Sequence, residues 1–243
     1  RNQIDLSGTW NFRIDSLDEG MDNQWFNQTF AETITLPGSM VENGKGHDIT
    51  VNSKWTGSII DRSWFTEEKY ARYREPGNVK IPFWLQPVKH YIGAAWYHKE
   101  VDIPADWDGK YVELVLERPH WETQLWVNGE KVGMKNTLGT GHIYNLTEYI
   151  KPGKCKLAIR VDNSIRDINP GINSHSISEH TQSNWNGIVG EISLKTRPKV
   201  FIENVKVFPD IESNRVMVVT NIHNLSGKMQ DGSITVQSMR ING

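Results

Sequence analysis

Hydrophobic and polar positions in this chain alternate over short runs. Val112, Leu114 and Leu116 alternate with Tyr111, Glu113, Val115 and Glu117, and Cys155, Leu157, Ile159 and Val161 alternate with Lys156, Ala158, Arg160 and Asp162. A period of two sends one set to a core and the other to water, so both runs predict strands. Burying each of Val112, Leu114 and Leu116 contributes roughly 1.5–3 kcal/mol, and a one-residue slip exposes all three, so the register is well specified. Between the runs, Val127-Asn128-Gly129-Glu130 centres on an Asn-Gly pair. Both residues tolerate positive φ, which predicts a tight antiparallel hairpin.

The same period recurs along the chain. Trp10, Phe12 and Ile14 predict an opening strand, and Ile34 and Leu36 predict a second that ends at Pro37-Gly38. Further strands are predicted over residues 96–103, 111–116, 124–127, 131–133, 154–161 and 187–195, separated by turn chemistry such as Lys151-Pro152-Gly153. Many short strands with almost no helix predict an all-β, two-sheet sandwich of jelly-roll type.

Two stretches break the period. Residues 39–93 carry Trp55, Trp64, Phe65, Tyr70, Tyr73, Phe83, Trp84 and Tyr91 without alternation. Within them Thr66, Glu67 and Glu68, followed by Arg72, Arg74 and Pro76-Gly77, predict a two-turn helix with charges matched to its dipole. So long an irregular segment is usually functional or disordered, and its aromatics argue against disorder. Residues 164–186 form a second long connection, rich in His, Ser and Asn.

A domain boundary falls near Arg197-Pro198, which divides the chain into residues 1–197 and 198–243. Beyond it Val205 and Val207, then Val216, Val218 and Ile222, then Ile234 and Val236 predict three strands. These are too few for a seven-stranded sandwich, so the second domain is expected to be incomplete. Its open edge and uncovered face should seek the first domain or a second copy of the chain, giving a homodimer.

Composition then narrows the function. Lys+Arg 27 against Asp+Glu 29 gives a net charge of -2, which offers no footprint for nucleic acid or an anionic membrane. No apolar run reaches membrane-spanning length and residues 1–3 show no signal-peptide core. The chain is therefore expected to be soluble as given, a leader having been removed if there was one; the single cysteine leaves the compartment open, and a periplasmic or secreted location is favoured over a cytoplasmic one. Cys155 lies in phase with Leu157 and Ile159 and reads as a buried small hydrophobe. The aromatic load of Trp 10, Tyr 7 and Phe 7 serves mostly the core, yet such rings also suit ligands with an apolar face and hydroxyl edges.

Four further elements follow in order: Ala95-Trp96-Tyr97 with Ile103-Pro104, Trp121-Glu122-Thr123 with Trp126-Val127-Asn128-Gly129, Ile159-Arg160-Val161-Asp162-Asn163, and Asn184-Trp185-Asn186-Gly187-Ile188. Together they resemble the N-terminal sugar-binding domain of glycoside hydrolase family 2, the β-galactosidase and β-glucuronidase family, over about residues 4–197. Val200-Phe201-Ile202-Glu203-Asn204-Val205 is similar to the opening of the family's second, immunoglobulin-like sandwich. The resemblance implies a jelly roll followed by a truncated immunoglobulin-like domain. It also implies that the catalytic pair lies in a TIM barrel beyond them. A retaining glycosidase needs two carboxyl groups about 5–5.5 Å apart, and such a barrel takes about 250 residues. This chain is therefore expected to be inactive alone, and no catalytic residue, cofactor or metal is assigned. Its implied partners are a β-glycoside and the barrel of the same polypeptide.

In β-galactosidases of the family an Asn-Val-x-x-Pro pattern lends its Asn to the sugar, and Asn78-Val79-Lys80-Ile81-Pro82 is similar to it. The alternative is an Asn that merely starts an extended segment. The family's Asp six positions before Gly-Ile is Thr181 here, so that charged contact is lost or reassigned. His180, Thr181, Asn184 and Trp185 are the remaining sugar-binding candidates, Trp185 equally fitting a packing role. His175 and His180 lack His-x-x-x-His spacing and argue against zinc. Asp162 and Asn163 read as turn residues. Two rival readings stand beside this one: a free-standing carbohydrate-binding module with a Trp platform, and a purely structural or interaction sandwich, favoured if the loops around Asn78 and Asn184 lie far apart.

Overall fold

The computed structural model describes residues 2–166, 171, 174–175 and 177–239. The strands in chain order are β1 (Gln3–Asp5), β2 (Gly8–Asp15), β3 (Thr33–Leu36), β4 (Gly38–Ser39), β5 (Ala94–Ile103), β6 (Tyr111–His120), β7 (Glu122–Val127), β8 (Glu130–Asn136), β9 (His142–Asn145), β10 (Gly153–Asp162), β11 (Gly187–Arg197), β12 (Val200–Asp210) and β13 (Arg215–Asn224). One sheet runs β3-β2-β5-β10-β7-β8, the other β1-β11-β6-β9 with β4 also on β11, and β12-β13 is a separate hairpin. All pairings are antiparallel.

The alternation sets which residues meet between the two large sheets. Phe12, Tyr97, Leu125, Leu157 and Ile159 point in from the six-stranded sheet and meet Leu114, Leu116, Ile192, Leu194 and Tyr144 from the other, all buried in one core. Cys155 belongs to this core, and burial pushes its thiol up to about 11. At the predicted hairpin Asn128 and Gly129 both take positive φ, 49° and 87°. This is the conformation for which Asn-Gly is chosen.

Three expectations need correction. The second face of β10 is not wet: Ala158, Arg160 and Asp162 are buried as well. Residues 16–32 fold over this face, where Trp25, Phe30, Trp96, Trp126 and Ala158 form a second core and Phe26 stacks flat on Trp126 at 5.2 Å. The two-turn helix is a short 3₁₀ helix, Glu68–Tyr73, with no buried residue. Six residues that dock on the neighbouring apolar cluster through the half-buried Tyr70 are too few to sustain an α-helix. Ile234 and Val236 form no strand and stand exposed, because no neighbouring strand offers its backbone groups. Residues 198–243, expected to be a second and incomplete domain, contribute the β12-β13 hairpin among the described residues. Phe201 lies against Tyr111 at 5.0 Å and under the Arg197 guanidinium at 4.7 Å.

Candidate functional site

The two irregular stretches pack on each other. Within residues 39–93, Trp64, Val79 and Ile81 are buried among Trp55, Tyr70 and Phe83. Trp64 Nε1 donates to the Lys80 carbonyl at 2.7 Å, and Gln86 clamps the same turn, accepting from Ile81 N at 2.7 Å and donating to the Val79 carbonyl at 2.8 Å. Glu179 ties this unit to residues 177–186. Its buried carboxylate accepts from Gly57 N at 2.8 Å and Thr56 N at 3.4 Å, and its carbonyl accepts from Leu85 N at 3.2 Å. His180 Nε2 donates to the Ser58 carbonyl at 2.9 Å while its ring meets Phe83 edge-on at 4.8 Å.

Beneath this layer three asparagines close the end of the sandwich. Asn163 accepts from Gly93 N at 2.9 Å and donates to the Tyr91 carbonyl and to Asn184 Oδ1. Asn184 Nδ2 returns to the Asn163 carbonyl at 2.9 Å and reaches Thr56 Oγ1 at 3.1 Å. Asn186 donates to the Gly93 and Val161 carbonyls and accepts from Tyr97 O–H at 2.6 Å. Beside them Arg160 is buried between Asp18, Asp162 and Glu122, and Asp162 also takes Arg166 at 2.5 Å. His120 ends β6, stacked on Trp185 at 4.5 Å, and burial lowers its pKa to about 4.

This polar plug, built from the ends of β5, β10 and β11 and from the two irregular stretches, sits within the region matched by the family model "Glycosyl hydrolases family 2, sugar binding domain", residues 4–198. The chain belongs to glycosyl hydrolase family 2. Among relatives, the family 2 chain is 20% identical over 245 residues to a β-glucuronidase of Canis lupus familiaris, with 90% of this chain and 32% of that protein covered. It is 24% identical over 209 residues to a β-galactosidase of Pseudoalteromonas haloplanktis, covering 86% of this chain and 18% of that protein. A solved β-glucuronidase from an uncultured Clostridium superposes with a TM-score of 0.60 at 19% identity, over 90% of this chain and 33% of the other. The chain thus spans a third or less of the length of these proteins.

In the family 2 domain the sequence candidates take the following places. Asn78 Nδ2 donates to the Arg72 carbonyl at 2.6 Å, so the amide closes its own loop. Its neighbours Gly77 and Val79 line a cleft of about 880 Å³. Asn184 is buried, with its amide engaged inside the fold. Thr181 Oγ1 donates to the His175 carbonyl at 2.7 Å, His180 holds Ser58, and Trp185 packs on His120. His180, Thr181, Asn184 and Trp185 therefore share one loop, and the Asn78 segment meets that loop through Phe83. Among the described residues no three His, Cys, Asp or Glu side chains gather as a metal site would require.

Sequence reasoning missed Glu179, Asn186 and Arg160, and it gave Asp162 and Asn163 only a turn role. The available signal was the run of Arg, Asp and Asn at the end of an otherwise apolar strand, since a polar group there must find a partner. Val189-Gly190-Glu191 forms a bulge in β11. Gly190 takes φ 76°, and the Glu117 carboxylate lies 2.4 Å from where a Cβ would stand, accepting from Glu191 N at 2.7 Å. Any side chain at position 190 would displace that carboxylate.

Proposed function

We propose that this chain is the non-catalytic, sugar-binding N-terminal region of a longer glycosidase acting on a β-glycoside, a β-galactoside or a β-glucuronide. In that reading the jelly roll carries the two irregular stretches as a preformed edge of a pocket, and a TIM-barrel domain of the same polypeptide supplies the acid/base and nucleophile. The observation that supports it is the union of residues 39–93 with residues 177–186 through Glu179 and His180. The mutual anchoring holds both loops rigid, as a binding edge must be to position substrate. The sugar-contacting residues belong to this proposal, with Asn78 and the His180, Thr181, Asn184 and Trp185 loop flanking the edge. The compartment in this reading is periplasmic or extracellular.

The test is hydrolysis of aryl β-galactosides and aryl β-glucuronides by this chain and by the longer polypeptide encoded with it. Turnover by the longer protein and none by the 243 residues is the expected result. Activity of the short chain that survives contaminant controls, or an inert longer protein, overturns the reading.

A further inference from the structure

His98, in the middle of β5, is 3% exposed, and neither of its ring nitrogens completes a hydrogen bond to the described residues. The Gln28 backbone stands near enough to favour the charged ring, but the geometry falls short of a bond. Phe30 lies nearly flat on the imidazole at 4.3 Å and Trp96 meets it edge-on at 6.3 Å, so the ring is held in place between apolar neighbours. A buried donor and acceptor without a protein partner are rare, and each calls for an explanation.

The ring lines a cavity of about 300 Å³ on the outer face of the six-stranded sheet. Register explains who shares it. His98 pairs with Asn11 on one side and Ala158 on the other, and Lys156 pairs with Glu100 one row further along. Alternation therefore puts Asn11, His98, Glu100 and Lys156 on the same face. Thr29 and Phe30 close the cavity from the 16–32 cover.

Its charges are not balanced. Lys156 Nζ donates to the Gln28 carbonyl, and Lys99 Nζ, at the same cavity, to the Ser7 and Thr9 carbonyls at 3.4 and 2.9 Å. These partners are uncharged, and burial pulls both ammonium groups below their usual range. Glu100 is the single carboxylate lining the cavity and is exposed to water. Arg13, on the face of β2 that carries Asn11, is engaged over the Trp25 ring at 3.7 Å. With His98 neutral, two positive charges thus face one negative charge. A metal cation would meet the two lysines, and an apolar ligand would leave the imidazole unpaired; an anion with several acceptor oxygens meets both needs.

We propose that this cavity binds a small tetrahedral oxyanion of the sulfate or phosphate class, free or carried as an ester, which accepts from Lys156 Nζ and from a His98 ring N–H. The bound anion stabilises the imidazolium, so a proton is taken up with it. The proposal does not rest on the carbohydrate reading above.

Calorimetry of the 243-residue chain with sodium sulfate, at an ionic strength held constant with sodium chloride, tests it. Sulfate should bind where chloride does not, and its affinity should rise severalfold from pH 7 to pH 5, a range in which sulfate keeps its charge. Lys156→Gln should weaken binding at least about tenfold, as the loss of a charge-assisted hydrogen bond does. In protein labelled at histidine, the His98 resonance, assigned as the one absent from His98→Leu, should shift with sulfate along the calorimetric saturation curve. Methyl sulfate binding as tightly as sulfate would identify a group carried on a larger molecule, and its exclusion would identify the free ion; either supports the site. No binding of either at millimolar concentration, an affinity independent of pH, an unmoved His98 resonance or full affinity in Lys156→Gln overturns the proposal.

Discussion

Asn184 and Asp162 carry more of the stability than their polar chemistry suggests. Truncating Asn184 to Ala leaves the Asn163 amide and carbonyl without their buried partner, which costs about 1–3 kcal/mol. Asp162→Ala strands the Arg160 guanidinium, whose remaining partners are the half-exposed Asp18 and the more distant Glu122, and breaking such a buried pair costs about 3–5 kcal/mol. Urea unfolding monitored by tryptophan fluorescence should show both losses, the second larger; equal midpoints for Asp162→Ala and wild type would show that Arg166 and Asp18 compensate fully. Acid provides a second probe. Burial holds His98 near a pKa of about 3 and His120 near about 4, both below the usual 6.5. The unfolded chain takes up these protons first as pH drops, so their contribution is intact above pH 6.5 and is lost progressively toward pH 4 and below. When fully lost these contributions are on the order of 5 kcal/mol for His98 and 3 kcal/mol for His120. His98→Leu should flatten the fall of melting temperature between pH 6.5 and 4; an unchanged slope would mean that His98 is not buried neutral.

Elements whose sequence repeats with period two were legible, because alternation is itself the physical cause of a strand's two faces. Asn128-Gly129 gave the hairpin, and the runs through β5, β6, β10 and β11 gave the cores of those strands. The covering of β10's outer face by residues 16–32 was not legible, since Trp25, Phe26 and Phe30 meet Trp96 and Trp126 only through tertiary packing. The site divided along the same line. Its two loops could be named from composition, but their union depends on Glu179 accepting from the backbone of Thr56 and Gly57 more than 120 residues earlier, a contact without a local pattern. That contact yields a prediction at this scale. Glu179→Ala should release residues 49–88 as a unit, accelerating their amide exchange well above that of β5 and β10, while Glu179→Gln, which keeps an acceptor oxygen, should do so less. Exchange unchanged in both variants would show that Trp64 and its neighbours hold the segment unaided.

Across the whole molecule, stability is distributed unevenly. The two large sheets bury their apolar faces against each other, whereas β12 and β13 leave Val207 59% and Val216 60% exposed on one face of a two-stranded ribbon. Such a ribbon is marginal in water by itself, and its contacts to the sandwich run through Phe201 with Tyr111 and Arg197 at one end. Val205, Val207, Val216 and Val218 share one face by register, and Phe208, Met217 and Val219 stand exposed on the other, so the free energy available from covering the valine face is that of several side chains, at roughly 1.5–3 kcal/mol for each one fully buried. In the 243-residue chain taken alone, a second copy presents the same face and the same strand edges, and we propose that isologous pairing covers it there. Sedimentation velocity over a hundredfold range of concentration should show reversible dimerisation. Val207→Lys combined with Val216→Lys should return a monomer while leaving the near-ultraviolet signature of the sandwich intact. A chain that is monomeric at every concentration, with its hairpin amides as slow to exchange as those of β6, would mean that the ribbon is stabilised by its own strand pairing and by Phe201, and the dimer would have no role.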